Sequence, residues 1–164
     1  MVTPMLAEAD IWRALEGVMD PEIPVVSVVD MGIIRAVAVS AGEVAVTMTP
    51  TFSGCPALDV MRRDIEAAVR GLGAARVTIH TVLHPPWTTE WISDAGREKL
   101  RRFGLAPPPR FSSDPTSVAF FDLAECPRCG STRTSLRNAF GPTLCRMIWY
   151  CHDCQDAFEQ FKPL

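Results

Sequence analysis

The stretch EVAVTMTPTFSGCPALDVMRRDIEAAVRGLGAARVTIHTVL (43–83) decides the fold. In its first residues Val44, Val46 and Met48 fall on one side and Glu43, Ala45, Thr47 and Thr49 on the other, the period of two of a half-buried strand. The pattern then changes. Leu58, Met61, Ile65 and Val69 recur at helical spacing, with Asp59, Arg62, Arg63, Glu66 and Arg70 around the rest, and Gly71 is placed to stop the helix. ARVTIHTVL (75–83) reads as a further strand. A strand–helix–strand crossover of this kind makes its two strands parallel members of one sheet.

Upstream, GIIRAVAV (32–39) is a β-rich run, and Ser40-Ala41-Gly42 joins it to 43–49 as a hairpin. Ile11, Leu15 and Val18 predict an N-terminal helix that Thr3-Pro4 opens and the two prolines of DPEIP (20–24) end. The expected fold class is α+β: a small mixed three-stranded sheet with helices on one face, over residues 1–84. Residues 85–117 form a Trp/Pro-rich connector with a helix near 91–103 and a stiff Pro107–Pro109 linker. Trp87 and Trp91 within it are candidates for packing against the sheet or for a partner contact.

Residues 118–164 carry the strongest motif, Cys126-Pro-Arg-Cys129-Gly130 and then Cys151-His-Asp-Cys154. The 21 residues between the pairs are one more than the spacing of about 15–20 typical of zinc sites. A segment of roughly 45 residues buries too little apolar surface to fold alone, and a metal supplies the missing free energy. Structural zinc on Cys126, Cys129, Cys151 and Cys154 is the expectation; iron in the same cage, or a redox pair, are the alternatives. Gly130 provides the positive φ a metal knuckle needs, and Gln155 at the matching place makes the second knuckle less ideal. His152 reads as a bystander and Cys145 as a small buried hydrophobe.

The net charge of −3 and the absence of any apolar run of about 18 residues argue against nucleic acid and membrane as partners. From residue 118 onward, five basic side chains face five acidic ones, which repeats that point for the ribbon. The N-terminus lacks a secretory pattern, so a cytoplasmic, reducing compartment is expected. That leaves Cys55. Pro56 suits a first helical position and puts Cys55 at or beside a helix N-cap, where a thiolate is stabilised and becomes a better nucleophile and metal ligand. It could equally pack or cap. No triad, phosphate loop or GxGxxG accompanies it.

DPEIPVVSVVDMGIIRAV (20–37) and TMTPTFSGCP (47–56) resemble the iron–sulfur assembly domain shared by SufT-type and MIP18-type proteins. The matching positions are Asp20-Pro21-Glu22, Ser27, Asp30 and Gly32, and Cys55-Pro56. HPPWTTEWISDAGREKLRRFGLAPP (84–108), CPRCGS, FGPTLC and FEQFKPL extend the likeness to the PaaD (PaaJ) family, encoded with the phenylacetyl-CoA epoxidase. The chain departs from it at Pro163, where that family leads one to expect a cysteine. The resemblance implies an accessory protein, not an enzyme, that helps mature or repair an iron–sulfur or di-iron centre in that oxygenase system. It implies transient iron or cluster contact at Cys55, with Asp30, Asp20 and Glu22 as candidates beside it. Its implied partners are the di-iron oxygenase, the reductase carrying flavin and a cluster, and the iron–sulfur assembly machinery. A stable structural subunit of the oxygenase is the alternative, and a homodimer through an open sheet edge is a further expectation.

Overall fold

The computed structural model describes residues 6–110 and 124–163. Thr3-Pro4, expected to open the first helix, and the 111–117 end of the expected linker lie outside that range.

The first helix, α1 (Glu8–Leu15), follows from Ile11 and Leu15, both fully buried, and from Glu8 and Asp10 in its first turn, whose charge suits the helix dipole. It stops earlier than the prolines required. Val18 is buried in the following turn, and its carbonyl accepts from the N–H of Val28 at 2.9 Å. DPEIP therefore shapes a loop, not a helix end. That loop closes where Met19 bridges Ser27.

Strands β1 (Ile34–Ser40), β2 (Glu43–Met48) and β3 (Arg76–Thr81) form one sheet in the order β1-β2-β3. The β1–β2 pair is antiparallel and turns through Ala41 and Gly42, with φ of 48° and 81°. Two consecutive left-handed residues give the turn whose twist suits a tight hairpin. β2 and β3 are parallel, Glu43 opposite Arg76 and Met48 opposite Thr81, as the crossover predicts. Val44, Val46 and Met48 are buried on β2 while Glu43 is exposed. Helix α2 (Leu58–Gly71) supplies the crossover and buries Met61, Ile65 and Val69. Burying each such side chain contributes roughly 1.5–3 kcal/mol. Gly71 is the last helical residue; the left-handed stop falls to Gly73, at φ 91°, whose N–H reaches the Arg70 carbonyl.

The chain gathers into two compact units. Among the described residues, one takes those up to Trp87 together with Trp91–Gly96; the other takes Thr88–Glu90 and those from Arg97 onward. The residues of the 85–117 connector are thus shared out. In the first unit Trp87 is buried and its Nε1 donates to the Met31 carbonyl at 2.8 Å. Trp91 carries the Arg35 guanidinium over its ring at 3.5 Å. Both tryptophans therefore pack on the 31–35 segment. The expected helix is present as a 3-10 turn (Thr89–Trp91) followed by α3 (Asp94–Phe103), with Ser93 Oγ accepting from the Gly96 N–H at 2.9 Å as its N-cap.

In the second unit the buried Arg97 guanidinium donates to the carbonyls of Pro108 (2.5 Å) and Thr89 (2.6 Å). Pro108 is thereby held in place. Strand β4 (Leu105–Ala106) then joins the ribbon's own sheet, parallel to β7 (Ala157–Phe161). That sheet has the order β4-β7-β6-β5, with β6 (Arg146–Cys151) antiparallel to both β7 and β5 (Thr134–Asn138). Met147, Trp149, Cys151 and Phe158 pack there with Ala106, Ala124 and Cys126.

Candidate metal centre and cysteine loop

Each cysteine pair sits on a tight turn whose backbone the residue after the second cysteine completes. Gly130 has φ 73° and Gln155 has φ 57°, so both knuckles use the same left-handed step. Glycine adopts that step freely, whereas a side chain there costs about 1 kcal/mol or more. Gly130 N–H donates to the Cys126 carbonyl and Cys126 N–H to the Ser131 carbonyl, both at 2.9 Å. Asp153, on the second knuckle, accepts from Ser131 Oγ and pairs with Arg133 at 2.7 Å; Arg128 pairs with Asp156. These contacts clamp the two turns face to face.

The result is a cluster in which the four Sγ atoms of Cys126, Cys129, Cys151 and Cys154 all lie within 4.8 Å of one another. Cys126 and Cys154 are separated by 3.7 Å and Cys129 and Cys151 by 3.6 Å. Four sulphurs placed tetrahedrally about 2.3 Å from one ion stand about 3.8 Å apart. The spacing fits a metal cage and is far too long for disulfides. The donor set is equally apt for zinc and for iron.

Electrostatics within the cluster are uneven. Cys151 is lowered to about 7, chiefly because the backbone N–H of Cys154 donates to its sulphur, with Asp153 adding a second donor. Loss of solvent pushes Cys154 up to about 12, and the neighbouring sulphurs push the same way. His152 turns away, its Nε2 3.0 Å from Ser135 Oγ and its ring edge-on to Tyr150. Cys145 lies outside the cluster, its Sγ 3.1 Å from Thr143 Oγ1.

Cys55 is placed differently from the expectation. Helix α2 begins at Leu58 with Ala57 as its N-cap, so Cys55 and Pro56 belong to the preceding turn. The Cys55 N–H reaches the Phe52 carbonyl at 3.1 Å and the Cys55 carbonyl accepts from Leu58 at 3.2 Å. Its thiol is half-exposed, with Ser53, Gly54 and Pro56 exposed around it. Thr49, buried at the head of the same loop, donates its N–H to the Ile33 carbonyl at 2.8 Å, tying the loop to the segment that carries Asp30.

Two of the acidic candidates, Asp20 and Asp30, hold backbone. Asp20 Oδ1 accepts from the N–H groups of Glu22 (2.8 Å) and Ile23 (2.9 Å), an Asx-type turn. Asp30 Oδ2 accepts from Ser27 N–H and Ser27 Oγ accepts from Asp30 N–H, both at 3.0 Å. The Asp30 carbonyl also accepts from Ser93 at 2.9 Å. Glu22 is half-buried on the Asp20 turn. Sequence reasoning missed the bracing roles of Ser93, Ser131 and Asp153. Only Asp153 left a signal, as an acid inside a CxxC.

A three-stranded α+β unit with a cysteine loop, joined to a four-thiolate ribbon, defines a two-unit protein with a metal-binding appendage. Two family profiles match accordingly: iron–sulfur cluster assembly protein over residues 8–80, and the PaaD zinc beta ribbon domain over residues 115–162. A putative 1,2-phenylacetyl-CoA epoxidase subunit of Escherichia coli (strain K12) is 36% identical over 156 residues, covering 93% of this chain and 91% of that protein. The chain therefore belongs to the PaaD family of phenylacetyl-CoA epoxidase subunits. An Fe-S protein maturation auxiliary factor of Porphyromonas gingivalis is 43% identical over 95 residues, 57% of this chain and 90% of that one. Among solved structures, a domain of unknown function from Bacillus anthracis superposes with TM-score 0.54 at 27% identity, covering 57% of this chain and 90% of its own. A conserved hypothetical protein from Thermotoga maritima gives 0.53 at 28%, covering 63% and 100%. Among the described residues no helix is long and apolar enough to cross a membrane.

Proposed function

We propose that this chain is an accessory protein that matures or repairs the iron–sulfur or di-iron centre of a phenylacetyl-CoA epoxidase system in aerobic phenylacetate degradation, without turnover of its own. The observation that carries this is the joining, in one chain, of an iron–sulfur assembly domain with a half-exposed loop cysteine and the ribbon of an epoxidase subunit family. In this reading iron or a cluster is cargo. It rests briefly on Cys55, whose exposed flanks admit a donor or client, while Asp20 and Asp30 hold the backbone of the 20–30 segment in shape and Glu22 is a further candidate contact. The ribbon holds zinc on Cys126, Cys129, Cys151 and Cys154 as a fold-stabilising ion. The partners are the oxygenase or its cluster-bearing reductase and the cellular assembly machinery. Thiols that must stay reduced to hold metal suit the cytoplasm.

The test is metal content and ultraviolet–visible absorption of anaerobically purified protein, wild type beside Cys55→Ala, before and after incubation with iron and sulfide. One zinc per chain in both, and cluster absorption gained by wild type alone, is the expected result. No cluster in either would favour a second reading, a structural component resident in the oxygenase, which the name of the Escherichia coli relative as an epoxidase subunit supports.

A further inference from the structure

The loop between β5 and β6 exposes two large apolar side chains, Phe140 at 70% and Leu144 at 62%, the most exposed large hydrophobics among the described residues. The loop is nevertheless firmly held. Phe140 N–H donates to Asn138 Oδ1 and Gly141 N–H to the Arg146 carbonyl, both at 2.9 Å; Lys162 N–H reaches the Cys145 carbonyl at 2.8 Å. A Cβ on Gly141 would stand 2.9 Å from that Arg146 carbonyl, so the backbone approach demands glycine. Displaying apolar side chains on an ordered loop lowers the entropy cost of binding.

The charges around the loop are also unequal. No acidic residue occurs between Cys126 and His152. The four described acids of the ribbon are already engaged, Glu125 with Arg101, Asp153 with Arg133, Asp156 with Arg128 and Glu159 with Arg146. Two cations are left facing rings. Lys162 Nζ lies 5.0 Å from the Phe140 ring and the Arg137 guanidinium 4.8 Å from the Tyr150 ring.

We infer that this loop, with Phe140, Leu144, Lys162 and Arg137, is the docking surface for an acidic segment of a client protein that also presents an apolar side chain. The carboxylates meet Lys162 and Arg137, and the apolar side chain covers Phe140 and Leu144. Two cations are too few for an anionic membrane, where clusters of about 4–8 are usual, and the balanced ribbon lacks a nucleic-acid footprint. Naming the client as an epoxidase component rests on the proposed function above.

The experiment uses full-length protein with Phe140→benzoylphenylalanine, irradiated with purified epoxidase oxygenase and reductase components, the products mapped by mass spectrometry. The expected result is a crosslink to a segment of one component bearing two or more Asp or Glu. Lys162→Glu with Arg137→Glu should reduce it about tenfold, a change of about 1.4 kcal/mol, and Lys162→Arg should leave it intact, with zinc content unchanged throughout. No crosslink, a crosslink to a second copy or to residues of the same chain, or equal capture by phosphatidylserine vesicles would overturn the inference. Cluster loading that depends on Cys55 judges the proposed function separately, so either idea can fail alone.

Discussion

At the scale of single residues, Asp30 and Cys55 divide their labour. Asp30 is almost wholly buried, and its carboxylate satisfies the Ser27 N–H, a donor that water does not reach in its place. Removing the acceptor leaves that donor unpaired, at a cost of about 1–3 kcal/mol. Asp30→Ala should lose that much in urea denaturation, and Asp30→Asn, which keeps an oxygen, should lose less than about 1 kcal/mol. An Asp30→Ala protein as stable as wild type would show that this carboxylate does not hold the turn. Cys55 is half-exposed and outside helix α2, so Cys55→Ala should shift stability by no more than about 0.5–1 kcal/mol while abolishing cluster uptake. Sequence singled out both, Cys55 by residue type and Asp30 by resemblance, but put the thiol at a helix N-cap that falls instead at Ala57. The fixing of Asp30 by Ser93 is a contact 63 residues away in sequence, and no local pattern announces it.

At the scale of elements, the two knuckles invite a direct comparison. Both turn through a left-handed residue, yet only the first has glycine. Gln155→Gly should stabilise the ribbon by up to about 1 kcal/mol, and Gln155→Ile should destabilise it, measured as the chelator concentration that extracts half the metal. A second element depends on glycine for space: Gly32 has φ 65°, and a Cβ there would stand 2.6 Å from that of Trp91. Gly32→Ala should therefore cost more than about 2 kcal/mol in thermal or urea unfolding. Because the four cysteines must shed their protons to hold a metal, the chelator concentration that extracts half the metal should fall as pH is lowered.

For the whole molecule, the division into two units predicts unequal dependence on metal. The sheet unit buries Ile11, Leu15, Val46, Met48, Ile65 and Val69 without help. The ribbon's core is small and includes Cys126 and Cys151 themselves, so folding and metal binding are one event there. Chelation should strip hydrogen-exchange protection from β5, β6 and β7 and leave β1, β2 and β3 protected. Loss of protection in both sets would mean that the sheet unit also needs the ion.

The alternation of Val44, Val46 and Met48, the helical recurrence of Met61, Ile65 and Val69 and the paired CxxC motifs determined the sheet, its crossover and the four-thiolate cage. Each is a short-range pattern tied to the geometry of its own element. Tertiary packing decided what those patterns do not contain. Helix α2 starts after Cys55 because residues 55–57 close a turn of their own, and Pro108 is anchored because a buried Arg97 takes its carbonyl. The connector joins the ribbon through β4, a two-residue strand too short to leave a period. The 55–57 turn and the Arg97–Pro108 contact are close in sequence but follow no repeating period. The β4–β7 pairing joins residues far apart in the chain, whose free energy appears only once the backbone has brought them together.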